Sequence, residues 1–136
     1  MISIVTYLGD LRTTSTHLQS GTVILSDAPT DNHGKGEAFS PTDLLCNSLA
    51  SCLITIMAIK SKDLNVNLEQ TTAEVTKFMQ TEPRRVSKIK IVMNMPIAVS
   101  DKNKIILEKI AMNCPVMLSL HPDIEKDVTF IWKSND

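Results

Sequence analysis

The sequence predicts an α+β domain, with elements in the order strand, strand, strand, helix, strand, strand, helix, helix, strand. Three observations carry that prediction. Two blocks, the first quarter of the chain and residues 64–96, are rich in β-branched residues and alternate apolar with polar side chains, as half-buried strands do. One segment between them, SPTDLLCNSLASCLITIMAIK at residues 40–60, is apolar around most of its circumference, as a buried helix is. Clusters of turn formers separate the blocks. The 136 residues match one ordinary domain spanning 1–136, and 43% apolar residues suffice for one core.

ISIVTYL, LRTTSTHLQ and TVILSD form the expected meander, punctuated by Gly9-Asp10 and Ser20-Gly21. DAPTDNHGKGEAF is dense in turn formers and is expected to be a loop. Ser40 then offers an N-cap, Pro41 suits the first helical position, and Asp43 stands where a capping acid belongs. From Leu44 to Ile59 there is no proline or glycine, and Ser48, Ser51 and Thr55 leave one narrow polar stripe. A helix of about 20 residues is roughly 30 Å long, enough to make it the central element. LNVNLEQTTAEVTKFMQ and VSKIKIVMNMP are expected as long strands, with Pro83-Arg84-Arg85 at the turn. Ser100-Asp101 opens a second helix, with Ile105, Ile106, Ile110 and Ala111 on its apolar face and Asn113 at its end. Cys114-Pro115 opens a further short helical turn, and DVTFIWK closes the chain as a strand.

Composition excludes several classes. With 14 basic and 15 acidic side chains there is no basic excess for nucleic acid or an anionic membrane surface. No apolar run reaches the ~18 residues of a membrane span without polar interruption, and MISIVTYLGD lacks the pattern of a signal peptide. Three cysteines are too few, and odd in number, for a disulfide scaffold, so reduced thiols and a cytoplasmic location are expected. Aromatics at 4% argue against stacking platforms. His17, His33 and His121 are scattered, and the cysteine spacing lacks any CxxC element, so no metal is expected.

Cysteine reacts as thiolate, and its pKa must be lowered by a cation, a helix N-terminus or a metal. Cys114, just before Pro115, has a helix start nearby and looks like the easier thiolate. Cys52 lies mid-helix and would need a cation brought from elsewhere. Cys46 fits plain core packing, because a free cysteine behaves as a small hydrophobe.

GEAFSPTDLLCNSLASCLITIM, followed far downstream by NCPVMLSL, resembles the OsmC/Ohr family of thiol peroxidases. LGDLRTTSTHLQSGTVILSDAPTDNHGKGEAF, with its LR, TH, SG and DAP phrases, is similar to the general OsmC-like branch. The resemblance implies an intertwined homodimer with antiparallel sheets around two long central helices and active sites at the interface. It implies that Cys52 attacks an organic hydroperoxide and that Cys114 resolves the sulfenic acid as a disulfide. It makes Arg12, the only arginine of the N-terminal strands, the group that stabilises the thiolate. No cofactor is implied; the reductant would be an external dithiol or a lipoylated protein. Peroxidases of the family carry a glutamate just after the proline that opens the helix, where it holds the arginine. Here Thr42 stands in that place, and threonine cannot make a charge-assisted pair. Asp43 either substitutes or only caps the helix. Two functions follow: a two-cysteine hydroperoxide reductase, or a dimer without efficient peroxidase activity that binds a fatty acyl or other small apolar ligand, its cysteines a redox sensor or a relic; a plain stability role with no chemistry ranks last.

Overall fold

The computed structural model describes residues 1–134. The chain forms two compact units, Met1–Leu45 and Cys46 onward. The first holds three strands, β1 (Ser3–Gly9), β2 (Arg12–His17) and β3 (Val23–Asp27), in an antiparallel sheet of that order. Asp10 and Leu11 make the first turn with φ of 53° and 61°. Two left-handed residues give a two-residue hairpin the twist of its strands. Leucine adopts that conformation at a cost, and a hydrogen bond from Ala28 N–H to Leu11 O, at 3.0 Å, holds it there.

The loop after β3 folds back on itself. Asn32 N–H and Gly34 N–H both donate to Pro29 O at 2.9 Å, and Gly36 N–H donates to Ala28 O at 3.2 Å. A Cβ at position 34 would sit 1.7 Å from the Ala28 carbonyl oxygen, so only glycine permits this closure. The loop returns Glu37 to the side of Asp27.

Helix α1 (Pro41–Ser61) starts at the end of the first unit and runs through the beginning of the second. Ser40 Oγ accepts from Asp43 N–H at 3.0 Å, and Asp43 Oδ2 accepts from Ser40 N–H at 2.9 Å. This is a reciprocal capping box built with aspartate. Cys46, Leu49, Ala50, Leu53 and Met57 form its buried stripe. By length and hydropathy, with a mean of 1.6 over its most apolar window, the helix through Leu64 could cross a membrane. The buried stripe instead joins a core, and Asn47, Ser51 and Thr55 interrupt the exposed side.

The second unit carries β4 (Thr72–Gln80), β5 (Arg85–Asn94), α2 (Asp101–Ala111), α3 (Pro115–Ser119) and β6 (Glu125–Ile131), with sheet order β4-β5-β6. The strand expected from Leu64 begins only at Thr72. Asn65 is left-handed, with φ 53°, and Asn67 Oδ1 accepts from Glu69 N–H at 2.8 Å. Asparagine turn chemistry thus overrides the alternation of NVNLEQ. β4 and β5 are antiparallel as expected, but β6 lies parallel to β5, from Lys88 opposite Glu125 to Asn94 opposite Ile131. A parallel partner needs a crossover connection, which α2 and α3 provide.

The core joins the α1 stripe to Ile89, Ile91 and Met93 of β5 and to Leu107 and Ala111 of α2. Each such large side chain contributes about 1.5–3 kcal/mol when fully buried. On α2 the buried face is centred on Leu107 and Ala111, and Ile105, expected to face inward, is 67% exposed. The capping Ser100 Oγ accepts Asn103 N–H at 3.2 Å and starts the helix where expected. Cys114 is the N-cap of α3, with Pro115 at its first position.

Candidate active site

Two groups of sequence-expected residues come together, one in each unit. In the second unit the Cys52 and Cys114 thiols are near enough to act on one another electrostatically. No disulfide joins them. They differ in access, since Cys52 is half-buried while Cys114 is 0% exposed. Cys114 is placed by its capping role. Its backbone is extended, with φ −67° and ψ 154°, and its Sγ accepts the Met117 N–H at 3.4 Å.

The helix start does not make Cys114 the easier thiolate, contrary to the expectation from its position. Burial pushes its pKa up, because a thiolate is costly away from water. The neighbouring Cys52 pushes it in the same direction, and the amides of Met117 and Val116 offset this only in part. Cys114 is therefore held as a thiol. Cys46 lies 1% exposed in the core as part of the buried stripe of α1.

In the first unit Arg12 and Asp27 face each other in register across β2 and β3. Arg12 Nε donates to Asp27 Oδ1 at 2.6 Å and Nη2 donates to Oδ2 at 2.8 Å, a bidentate pair. Nη2 also donates to Glu37 Oε2 at 3.3 Å, and Glu37 N–H donates to Asp27 Oδ2 at 3.1 Å. Asp27 is 1% exposed, Arg12 23% and Glu37 66% by side chain. The Arg12 hydrogen bonds hold the Asp27 carboxyl below its usual range, and those same bonds raise the Arg12 pKa further. Asp43 has its Oδ2 on Ser40 N–H, and the Thr42 hydroxyl lies 3.2 Å from Ser40 Oγ.

Sequence reasoning missed Asp27 and Glu37. A signal for Asp27 was present: folding the β2–β3 hairpin about Gln19-Ser20 sets Arg12 opposite Asp27. Glu37 had no such signal, because its approach depends on the closure of the loop around Gly34.

An α+β chain with paired thiols, one on a long apolar helix and one capping a short helix, defines a class of two-thiol proteins. The model of the OsmC family, described as OsmC-like protein, matches residues 34–129, and the chain belongs to that family. A solved protein from Psychrobacter arcticus 273-4, named as a candidate osmotic stress induced and detoxification response protein, is 52% identical over 96% of both chains, with a TM-score of 0.94. An organic hydroperoxide resistance protein OsmC from Legionella pneumophila shares the fold at 15% identity, with a TM-score of 0.71 and 96% of both chains covered. A candidate organic hydroperoxide resistance protein from Vibrio cholerae, solved with captopril in one of its active sites, shares it at 17% identity, with a TM-score of 0.70 over 94% of this chain and 90% of that one. A comparison with curated proteins finds no match.

Proposed function

We propose that the protein is a thiol-dependent peroxidase for organic hydroperoxides, with Cys52 as the attacking thiol and Cys114 as the resolving one. The observation that carries this reading is the adjacency of two thiols with unequal access. The reachable sulfur is Cys52. As thiolate it attacks the terminal oxygen of ROOH, breaks the O–O bond and becomes a sulfenic acid, and the alcohol leaves with a proton. The Cys114 sulfur then attacks the Cys52 sulfur, forming the disulfide and releasing water. A dithiol, free or lipoyl, reduces the disulfide and is itself oxidised. No cofactor is required.

Cys52 lies mid-helix, so a side-chain cation must favour its thiolate. We assign that role to Arg12, whose guanidinium stays charged at any working pH. Asp43 supports the site through its cap on the helix that carries Cys52. The apolar surface of β1 to β3 supports a homodimer. Ile4, Val5, Tyr7 and Leu8 are all exposed, although neighbours along a strand point to opposite faces. A cytoplasmic location is part of the same reading.

The test is peroxide consumption with cumene hydroperoxide, linoleic acid hydroperoxide and hydrogen peroxide, using dithiothreitol or dihydrolipoamide as reductant. Turnover should favour the organic peroxides and the dithiols and vanish in Cys52→Ser. Cys114→Ser should leave Cys52 open to sulfinic acid, seen by intact mass. Disulfide formation without turnover would favour the redox-sensing reading. A disulfide that includes Cys46 would remove the assignment of Cys114.

A further inference from the structure

We infer that the second unit carries a small-molecule site on the far flank of α1 from Cys52, fitted to a zwitterion with an apolar body, of the class of the apolar α-amino acids. The inference does not rest on the peroxidase reading.

A cavity of about 520 Å³ lies between the last turns of α1 and the loop that leads to β4. That volume falls in the range of small-molecule pockets, about 300–1,000 Å³. Ile54 and Ala58 line it from the helix, and Val66 and Leu68 line it from the loop. Each helical residue turns the chain by about 100°, so Ile54 projects about 200° round from Cys52. Leu53, in the buried stripe, lies between the two. The cavity is thus separate from the face that carries Cys52.

The loop wall is pinned in place. Its sequence NVNLEQ alternates like a strand, yet Asn65 and Gln70 are left-handed, with φ of 53° and 75°. Val66 N–H donates to Ser61 O at 3.0 Å, and Thr71 N–H donates to Leu68 O at 3.1 Å. Leu68 anchors the middle of the loop in the core. The pocket therefore exists before any ligand arrives, which spares the ligand the cost of ordering it.

Half of the polar lining is already used by the protein itself. Ser61 Oγ donates to Ala58 O at 2.7 Å, Thr71 Oγ1 donates to Leu68 O at 2.7 Å, and Asn67 Oδ1 accepts from Glu69 N–H at 2.8 Å. The other polar heads are not used. Among the described residues the Lys62 ammonium, the Glu69 carboxylate and the Gln70 amide have no hydrogen-bond or ion-pair partner. The nearby Asp63 belongs to Lys60, at 3.6 Å. One cavity therefore presents a cation, an anion and an amide that leave one another unsatisfied, beside an apolar wall. A fatty carboxylate would suit Lys62 and be repelled by Glu69, and an alkylamine would meet the reverse. A ligand that carries both charges next to an apolar side chain satisfies both. Its carboxylate goes to Lys62 and its ammonium to Glu69, and the Gln70 amide can donate to the one or accept from the other. Exposed charges attract weakly, so the apolar contact supplies the affinity and the two charges supply the discrimination.

Leucine and its two single-charge analogues test this. The methyl signals of Ile54, Ala58, Val66 and Leu68 are followed by NMR on the full chain. The titrants are L-leucine, isocaproate (leucine without the ammonium) and isoamylamine (leucine without the carboxylate). L-Leucine should shift these methyls saturably. Each analogue should bind roughly tenfold more weakly, the discount for one charge-assisted hydrogen bond. Lys62→Met should remove the advantage of leucine over isoamylamine and keep its advantage over isocaproate. Glu69→Gln should do the converse. Both positions are exposed, so neither change threatens the fold. Methyls that do not respond to leucine, or an isocaproate that binds as tightly as leucine, overturn the inference. Methyl shifts that follow dilution of the protein instead of added leucine would show that a second copy fills the cavity, and overturn it equally.

Discussion

The two three-stranded sheets are built from similar sequence and meet different fates. In β5 the alternate residues Ile89, Ile91 and Met93 are all 0% exposed, packed in one core with α1 and α2. In β1 the adjacent residues Ile4 and Val5 are 52% and 62% exposed, and Tyr7 and Leu8 follow them. Neighbours on a strand face opposite ways, so β1 carries exposed apolar side chains on both of its faces. Three strands stand on their own only when an apolar face is packed or a helix covers them. The difference shows what an apolar strand signifies: one apolar face asks for one covering layer, and apolar side chains on both faces ask for two.

The largest effect should come from the covered sheet. Ile91→Ala removes a fully buried side chain and should cost about 2–5 kcal/mol of unfolding free energy in a denaturant titration. Its loss should not depend on protein concentration beyond that of the wild type. Ile4→Asp, in the open sheet, should act through assembly. Light scattering should show a smaller particle at micromolar concentration, while circular dichroism keeps the signal of the β4–β6 unit. An Ile4→Asp chain of unchanged mass would mean that the open sheet is not where copies meet.

A smaller effect concerns acid. The folded Asp27 carboxyl is held below its ordinary range, mainly by the hydrogen bonds from Arg12. Its contribution to stability is therefore complete above the ordinary carboxylate pKa and is lost as pH falls through the lowered folded value. The melting temperature of the wild type should drop on acidification from pH 5 downward, and Asp27→Asn should drop less steeply. Parallel curves for the two proteins would show that the pair does not form in solution.

Most of the fold was legible because its signals are local. The Ser40-Pro41-Asp43 cap, the Pro115 start, the Gly9 and Gly21 turns and the Ser100 cap each act within a few residues, and each falls where the sequence places it. The misses need information from far along the chain. The parallel pairing of β6 is set by the crossover through α2 and α3, not by anything in DVTFIWK. The outward turn of Ile105 is set by Leu107 winning the core face. At the site, the pairing of Cys52 with Cys114 was legible only through the family resemblance, since their nearness depends on packing across the second unit. The raised pKa of Cys114 follows from a burial that no spacing reveals.

The smallest expected effect lies on the exposed edge of the covered sheet, where the parallel pair begins. Lys88 Nζ lies 3.2 Å from Glu125 Oε2 and 3.7 Å from Asp127 Oδ2, and 5.2 Å from the centre of the Phe78 ring. The hydrogen bond and charge of Glu125 raise the Lys88 pKa, with Asp127 adding to them. A raised cation contributes stability in full below the ordinary lysine pKa and loses it as pH rises through the folded value. Surface pairs of this kind are weak and screened, because water and salt compete for both partners. Lys88→Met keeps the stem over Phe78 and removes the charge. It should lower the melting temperature slightly at pH 7. That difference should close in about 1 M salt, where the screening length is about 3 Å. It should close again as the pH rises through the raised pKa of the folded lysine. A difference that persists in both conditions would mean that the Lys88 side chain holds β6 by packing rather than by charge. The covered sheet would then owe its parallel edge to the same apolar contacts that hold its centre.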